Sequence, residues 1–262
     1  MADESDAGQV PATLRQRIVQ AAAGLLEEGG LEAVSTRAVA TAAGVPPPTI
    51  FRTFGDKDGL LEAVGEHGFQ MYLDSKLRLT SIADPVEQLR AAWDLQVQFG
   101  LAHPVYYTLV YGQARSGHLP RAGRQAVEEL RRMVTRVAAA GRLRMSVERA
   151  ADVMHAVGVG TIITMISVPE ESRDLVVFDV ARELVLGALV TPPRAADEGK
   201  YEGDSLVASS AMELRAALGP GAVHALSRAE QPLLVEWLNR LADTVREQPA
   251  RPRTSLGPGD GG

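Results

Sequence analysis

STRAVATAAGVPPPTIFRTFGDK, residues 35–57, reads as two short helices joined at a glycine, with a lysine where a further helix opens. Val39 and Ala43 share one helical face, Ala40 is small where a second helix must come close, and Gly44 supplies the sharp turn. Val45 and Ile50 are the apolar anchors beyond it. Two helices that cross steeply through a short glycine turn can lay the second in a DNA major groove while the first crosses the backbone. The stretch therefore predicts a helix-turn-helix and a double-stranded DNA partner.

The chemistry of the second helix, about Pro47 to Phe54, is unusual. Pro47 and Pro48 preset φ for a helix start but carry no N–H to hold phosphate. Their rings are small apolar surfaces that suit thymine methyls. Thr49 is placed to hydrogen-bond phosphate, and Arg52 is the residue here that can grip guanine through two hydrogen bonds. Ile50 and Phe54 are expected in the core, whereas Phe51 is divided between core packing and contact. Lys57 meets the positive end of a helix dipole, at a cost of a few tenths of a kcal/mol that makes sense beside an anion. Thr36 and Arg37 open the preceding helix and are similarly placed for backbone phosphate.

Order and spacing here match a known pattern. From Leu14 to about Leu61 the chain resembles the N-terminal domain of TetR-family (tetracycline-repressor-like) transcriptional regulators. That pattern is an apolar first helix, a T-R-x-V/I-A-x-x-A-G-V turn, then T-I/L-Y/F-x-x-F and K-x-x-L. Here it stands as Thr36-Arg37-Ala38-Val39-Ala40, Ala43-Gly44-Val45, Thr49-Ile50-Phe51-Arg52-Thr53-Phe54 and Lys57-Asp58-Gly59-Leu60. Three departures bear on contacts. Thr53 stands where the family usually carries His, Phe51 where Tyr is common, and Pro46 replaces a usual Ser cap, so fewer hydrogen bonds to DNA are expected.

The resemblance implies an all-α protein, with a three-helix DNA-binding domain followed by a larger helical ligand-binding and dimerisation domain. It implies a homodimer joined through helices at about 147–167 and 174–190, reading a pseudo-palindromic operator. It further implies release by a small-molecule effector, as in a repressor, and assigns Lys57 to phosphate. The DNA-contact set is then Thr36, Arg37, Pro47, Pro48, Thr49, Phe51, Arg52, Thr53 and Lys57. A helical dimeric scaffold that has lost DNA binding is the alternative, kept open by the prolines and by the missing Tyr and His.

Composition sets outer limits. The chain has 262 residues and 27.9 kDa, 45% hydrophobic and 23% charged, enough to bury a substantial core. Cysteine is absent, which excludes disulfides, thiolate metal sites and cysteine nucleophiles and suits a reducing cytoplasm. Met1–Gln9 is acidic and polar where a signal peptide needs basic and apolar residues. No uninterrupted apolar run reaches the length of a membrane span, so no membrane partner is expected. The net charge of −6 opposes DNA binding at first sight. Read locally, Arg15, Arg17, Arg37, Arg52 and Lys57 outnumber Glu27, Glu28, Glu32 and Asp56, so the acidity sits elsewhere. His67, His103, His118, His155 and His224 show no metal-ligand spacing, and neither a nucleophile elbow nor a phosphate loop occurs. An enzyme, a metal and a cofactor are not expected. Gly158-Val159-Gly160 lies inside a helical pattern and more plausibly permits close helix approach.

Helical periodicity runs throughout. A first helix spans about Leu14–Glu28, with Leu14, Ile18, Ala22, Leu25 and Leu26 as its stripe, stopped by Gly29-Gly30. Others are expected from Lys57 to about Leu79, Asp84-Pro85 to near Gly100, Pro104 to Tyr111, Pro120 to Ala140, Ser146 to Ser167 and Asp174 to Val190. The last two are apolar nearly all round, in Ala156–Ile166 and in Val177, Val180, Leu184 and Leu186, and so need cover on several sides. Residues 191–203 read as a linker. A C-terminal helical extension at 204–248 follows, with Val207, Ala211, Leu214 and Leu218 on one helix. Leu234, Trp237, Leu238, Leu241 and Val245 mark another, capped by Ser227 and Glu230 although Pro232 is awkward there. Domain expectations are a disordered arm at 1–11, the reading head at 12–56, the regulatory and dimerisation body at 57–190, and a disordered tail at 249–262. Trp93, Tyr107, Tyr111, Met133, Met154 and His155, with Phe99 and Tyr106 nearby, supply a mostly apolar lining with polar tips, suited to a largely apolar effector.

Overall fold

The structure, a computed structural model, describes residues 13–112, 119–192, 203–218 and 226–243. The expected arm, the tail, His118, His224, Val245 and most of the 191–203 linker lie outside the described residues. Among those described, the chain forms eleven α-helices and no strand. They are α1 (Leu14–Ala33), α2 (Thr36–Ala43), α3 (Pro47–Phe54), α4 (Lys57–Arg78), α5 (Pro85–Ala102), α6 (Pro104–Tyr111), α7 (Arg121–Ala139), α8 (Val147–Ile166), α9 (Val176–Leu189), α10 (Gly203–Leu218) and α11 (Glu230–Asp243). The protein is all-α, as the periodicity predicts.

Helix starts follow their caps. Thr13 and Gln16 form a reciprocal capping box at α1, and the Asp84 carboxylate accepts from the Val86 and Glu87 amides ahead of Pro85. The Ser146 hydroxyl accepts from Arg149 N–H at 3.2 Å to open α8. The regular course of α1 breaks at Gly30, where φ is 68°, before one more turn. The Ser227 amide donates to the Glu230 carboxylate and the Glu230 amide donates to the Ser227 hydroxyl, the reciprocal pair of a capping box ahead of α11. Pro232 fits because it falls in the first turn, where amides have no helical partner.

The described residues form two compact units. One comprises those up to Met133 together with Ala151–Leu186; the other comprises Val134–Ala150 and those from Gly187 onward. In the first, the core runs from Ile18, Ala22 and Leu26 of α1 through Val39 and Ile50 to Leu60, Val64 and Phe69 of α4, and on to Phe99 and Tyr107. Leu14 is 43% exposed rather than part of that stripe, because it sits at the open first turn of α1. Helix α6 lies so close to α4 that a Cβ on Gly68 would fall 2.1 Å from the Tyr106 ring. Tyr106 itself is buried and donates from its hydroxyl to Glu27 Oε1 at 2.7 Å, tying α6 to α1. Arg182 pairs with Asp94 and Arg90 with Glu183, holding α9 against α5.

In the second unit, α10 and α11 pack on each other through small residues. Ala208, Ala211 and Met212 are buried on α10, and Leu238 and Ala242 on α11. The expected stripes are buried only in part: Ala211 and Leu238 are buried, whereas Val207, Leu214, Trp237 and Leu241 are each about half exposed. Small faces let the two helices approach closely, which turns the larger apolar side chains outward. Arg215 pairs bidentately with Glu148, and Asp243 Oδ1 accepts from the Ser146 amide at 2.9 Å, so the hairpin grips the start of α8.

Candidate nucleic-acid interface

The reading head is built on α1, which supports both short helices. Helix α2 starts at Ser35, whose hydroxyl accepts from Ala38 N–H at 3.1 Å. It ends at Gly44 with φ 65° and ψ 40°, a left-handed conformation that a side chain would strain. Val45 N–H returns to the Ala40 carbonyl at 2.9 Å and closes the turn. The Arg17 guanidinium donates to the Ala43 carbonyl at 3.2 Å, fastening the turn to α1. Ile50, fully buried, and Phe54 hold α3 from beneath, with the Arg15 guanidinium 5.1 Å from the Phe54 ring centroid.

The start of α3 has few donors. Pro46 makes no side-chain cap, Pro47 and Pro48 have no N–H, and the Thr49 amide bonds the Pro46 carbonyl at 2.9 Å. The usual anion-binding quality of a helix N-terminus is thus removed, leaving an apolar tip. Thr49, expected to reach phosphate, is 7% exposed because its position faces the core beside Ile50. Phe51 points the other way and is 51% exposed, so its place is on the surface. Thr53 is half-buried and donates its hydroxyl to the Thr49 carbonyl at 2.7 Å. Pro47, Pro48 and Arg52 are exposed on α3, as are Arg37 on α2 and Lys57 at the start of α4; Thr36 is half-buried. Asp56 caps α4 by accepting from the Gly59 amide at 2.7 Å, which offsets the unfavourable position of Lys57 on the dipole.

Three cations stand on this surface. Among the described residues, Arg37, Arg52 and Lys57 have no carboxylate partner. Elsewhere Arg90, Arg121, Arg132, Arg149, Arg182 and Arg215 are each ion-paired, while Arg78, Arg124, Arg144 and Arg173 donate to hydroxyl or carbonyl oxygens. Exposed unpaired cations around an apolar α3 tip make a surface fitted to a polyanion with methyl groups in its groove.

The expected effector residues divide. Tyr107 is fully buried in the main core, Tyr111 packs against it, and the Tyr111 and His155 rings meet edge-on at 5.4 Å. Gln96 Nε2 donates to the Tyr107 hydroxyl at 2.9 Å. Trp93, Met133 and Met154 are equally buried but outside that cluster, and Trp93 Nε1 has no hydrogen-bond partner. Two polar residues were not anticipated. Tyr72 and Lys76 of α4 are each 3% exposed, and the signal for them is their register: Phe69, Tyr72, Leu73 and Lys76 follow one buried helical face. Burial pushes the Lys76 ammonium down to about 8, against the pull of Glu129. Burial pushes the Tyr72, Tyr107 and Tyr111 hydroxyls up. His155 is pushed down, first by burial and then by the Lys76 charge.

Known proteins share this architecture. A protein of unknown function from Rhodococcus sp. RHA1 superposes with a TM-score of 0.58 at 24% identity, covering 71% of this chain and 100% of its own. A TetR-family transcriptional regulator from Pectobacterium atrosepticum gives 0.55 at 23% identity, covering 69% and 95%. RolR in complex with resorcinol gives 0.52 at 18% identity, covering 67% and 87%. At these identities the likeness shows the fold. Residues 18–64, the stretch that builds the reading head, match the family described as bacterial regulatory proteins, tetR family. The helix-turn-helix at residues 18–64 is thus that of the tetR family of bacterial regulatory proteins, carried on a chain that shares the fold of TetR-family transcription regulators.

Proposed function

We propose that the protein is a homodimeric cytoplasmic repressor that holds a pseudo-palindromic operator through two reading heads and is released by a small molecule bound in the body. The observation that carries the dimer is the outer face of α9. Val177, Val180 and Leu184 follow one another at helical spacing and are 36%, 52% and 71% exposed. Beside Val177 runs a groove of about 410 Å³ lined by Ala156, Gly160, Thr164 and Met165 of α8. A contiguous apolar face of this kind on a regulator marks a protein partner. A second copy offers the same face about a two-fold axis.

Helix α8 is also long and apolar enough, by length and composition, to cross a membrane, which amends the expectation that no segment is. Its Glu148, Arg149 and Asp152 and its Thr161 and Thr164 favour a protein partner over lipid. One head with so few contacts binds weakly, and two heads spaced about 34–36 Å apart, or a small multiple, remedy that. A ligand that favours another spacing by about 2–3 kcal/mol lowers operator binding roughly 30- to 150-fold. RolR is the related fold with a small phenolic ligand, resorcinol, and supports a small-molecule effector here.

Leu184→Glu tests the dimer. The substitution places a charge on an exposed position, so the chain stays folded. Sedimentation should then report monomer where the wild type is dimer, and gel-shift affinity for promoter DNA should fall sharply. A variant that remains dimeric, or a wild-type chain that is monomeric at working concentration, removes this reading.

A further inference from the structure

The interior of the first unit holds a charge with nothing opposite it. Lys76 is 3% exposed, and its ammonium donates to the Ala126 carbonyl at 2.8 Å and lies 5.6 Å from the Tyr72 ring centroid. Among the described residues no carboxylate lies within ion-pair distance of it; Glu129, the nearest acid to influence it, is paired to Arg132. An ammonium has three donors, and a buried charge without a counter-ion is among the costliest features a core can carry. Around it, the Tyr72 and Tyr111 rings both stand edge-on to Phe69, at 5.7 and 5.8 Å between centroids, and Tyr72 is 3% exposed. The Tyr111 ring also meets Tyr107 at 5.0 Å and His155 at 5.4 Å, so these rings converge. Tyr111 and His155 are only half-buried, which marks the side from which the cluster is reached. Native interiors satisfy a buried ammonium of this kind with an anion, with water or with a ligand.

We propose that this cluster is the effector's recognition site and that it takes a small planar carboxylate, its anionic group on Lys76 and the Tyr72 and Tyr111 hydroxyls, its ring on the Phe69, Phe99 and Tyr107 face. The inference rests on the ligand-released reading above and adds the charge class. A carboxylate supplies the counter-ion that Lys76 lacks and accepts from both phenols at once. The flanking rings meet one another at 4.8 to 6.5 Å between centroids and form an aromatic wall, the kind of surface an aromatic ligand ring packs against. Lys76 sits toward the end of α4, the helix that begins at Lys57 of the reading head, so a ligand held there pulls on the same helix that meets DNA.

The test uses three probes of one shape and three charges: benzoate, benzamide and benzamidine. Calorimetric titration of the full chain should show benzoate binding at millimolar concentration or better, at least about ten-fold tighter than benzamide, with benzamidine weakest. Lys76→Met, which fills the same space without charge, should bring benzoate down to the level of benzamide. Tyr111→Phe, at a half-buried position, should weaken benzoate several-fold and leave benzamide less affected, and it stands in if the lysine variant does not fold. Equal affinity for benzoate and benzamide, no benzoate binding, or a preference that survives both substitutions overturns the proposal. The same titrations followed by gel shift separate the two readings. Lys76-dependent benzoate binding without any change in DNA affinity leaves the site standing and removes the release mechanism.

Discussion

Lys57→Ala should weaken binding to every DNA sequence alike and flatten its dependence on salt. The magnitude follows from how few positive groups the head presents. Thr49 is buried, the tip of α3 has no free amide, and Arg52 is placed for a base edge. Arg15 lies over the Phe54 ring and Arg17 donates to the Ala43 carbonyl, which leaves Arg37 and Lys57 as the exposed cations placed for phosphate, two per protomer and so four per dimer. At about −0.9 per neutralised phosphate, log K should fall with log salt at a slope of about −3.6. Going from about 50 to about 200 mM salt then costs the wild type roughly 150-fold in affinity. Removing Lys57 from both heads brings the slope to about −1.8 and the loss over that range to roughly 12-fold.

Fluorescence anisotropy of labelled promoter DNA at four or more salt concentrations reads the slope directly. Arg52→Ala is the companion, and it should change which sequences bind best while moving the slope less. A Lys57→Ala slope equal to that of the wild type shows that the lysine is not on phosphate. A wild-type slope near −8 shows that groups outside α2, α3 and the start of α4 touch the duplex, and the contact set is then incomplete.

Two further outcomes are expected. Lys76 has a folded-state value of about 8 against an ordinary 10.5, so between those values the unfolded chain binds more protons and stability should rise with pH. Urea unfolding should show that gain from pH 8 to about 10 in the wild type and none in Lys76→Met; above about 10 the buried tyrosines, raised on folding, reverse the trend. Gly68→Ala should destabilise by about 2 kcal/mol, because overpacking against the buried Tyr106 ring outweighs the roughly 1 kcal/mol gain in helix propensity. In a Tyr106→Ala background the same change should become neutral or stabilising, and a cycle with no such sign change refutes the contact.

The reading head was legible because its signals are local. Gly44 announces a left-handed turn, Asp56 a cap and Pro47 a helix start, each within a few residues of what it controls. The face of α3 was less so. A helix of two turns has room for about one apolar period, so Thr49 and Phe51 could be exchanged between core and surface without violating any pattern. The extension failed for a related reason. Its helices carry large apolar residues on one side and Ala208, Ala211 and Ala242 on another, and hydrophobicity alone favours the larger side. Close approach of two helices is decided by the smaller one.

The same reasoning explains why the buried lysine did not appear in the sequence while the aromatic interior did. Aromatic and methionine residues at helical spacing identify an interior, and Tyr107, Tyr111 and His155 do converge there. What selects a ligand is the polar group that the interior leaves unsatisfied, and that depends on which partners arrive from other helices. A lysine on α4 is ordinary in a sequence because such side chains usually snorkel to water. Lys76 cannot do so: α7 closes over it through Ala126, and Glu129, one turn on, is already committed to Arg132. The absence of a counter-ion is therefore a property of three helices together, legible only once they are packed. For that reason the proposed ligand class rests on charge, and not on size or hydrophobicity.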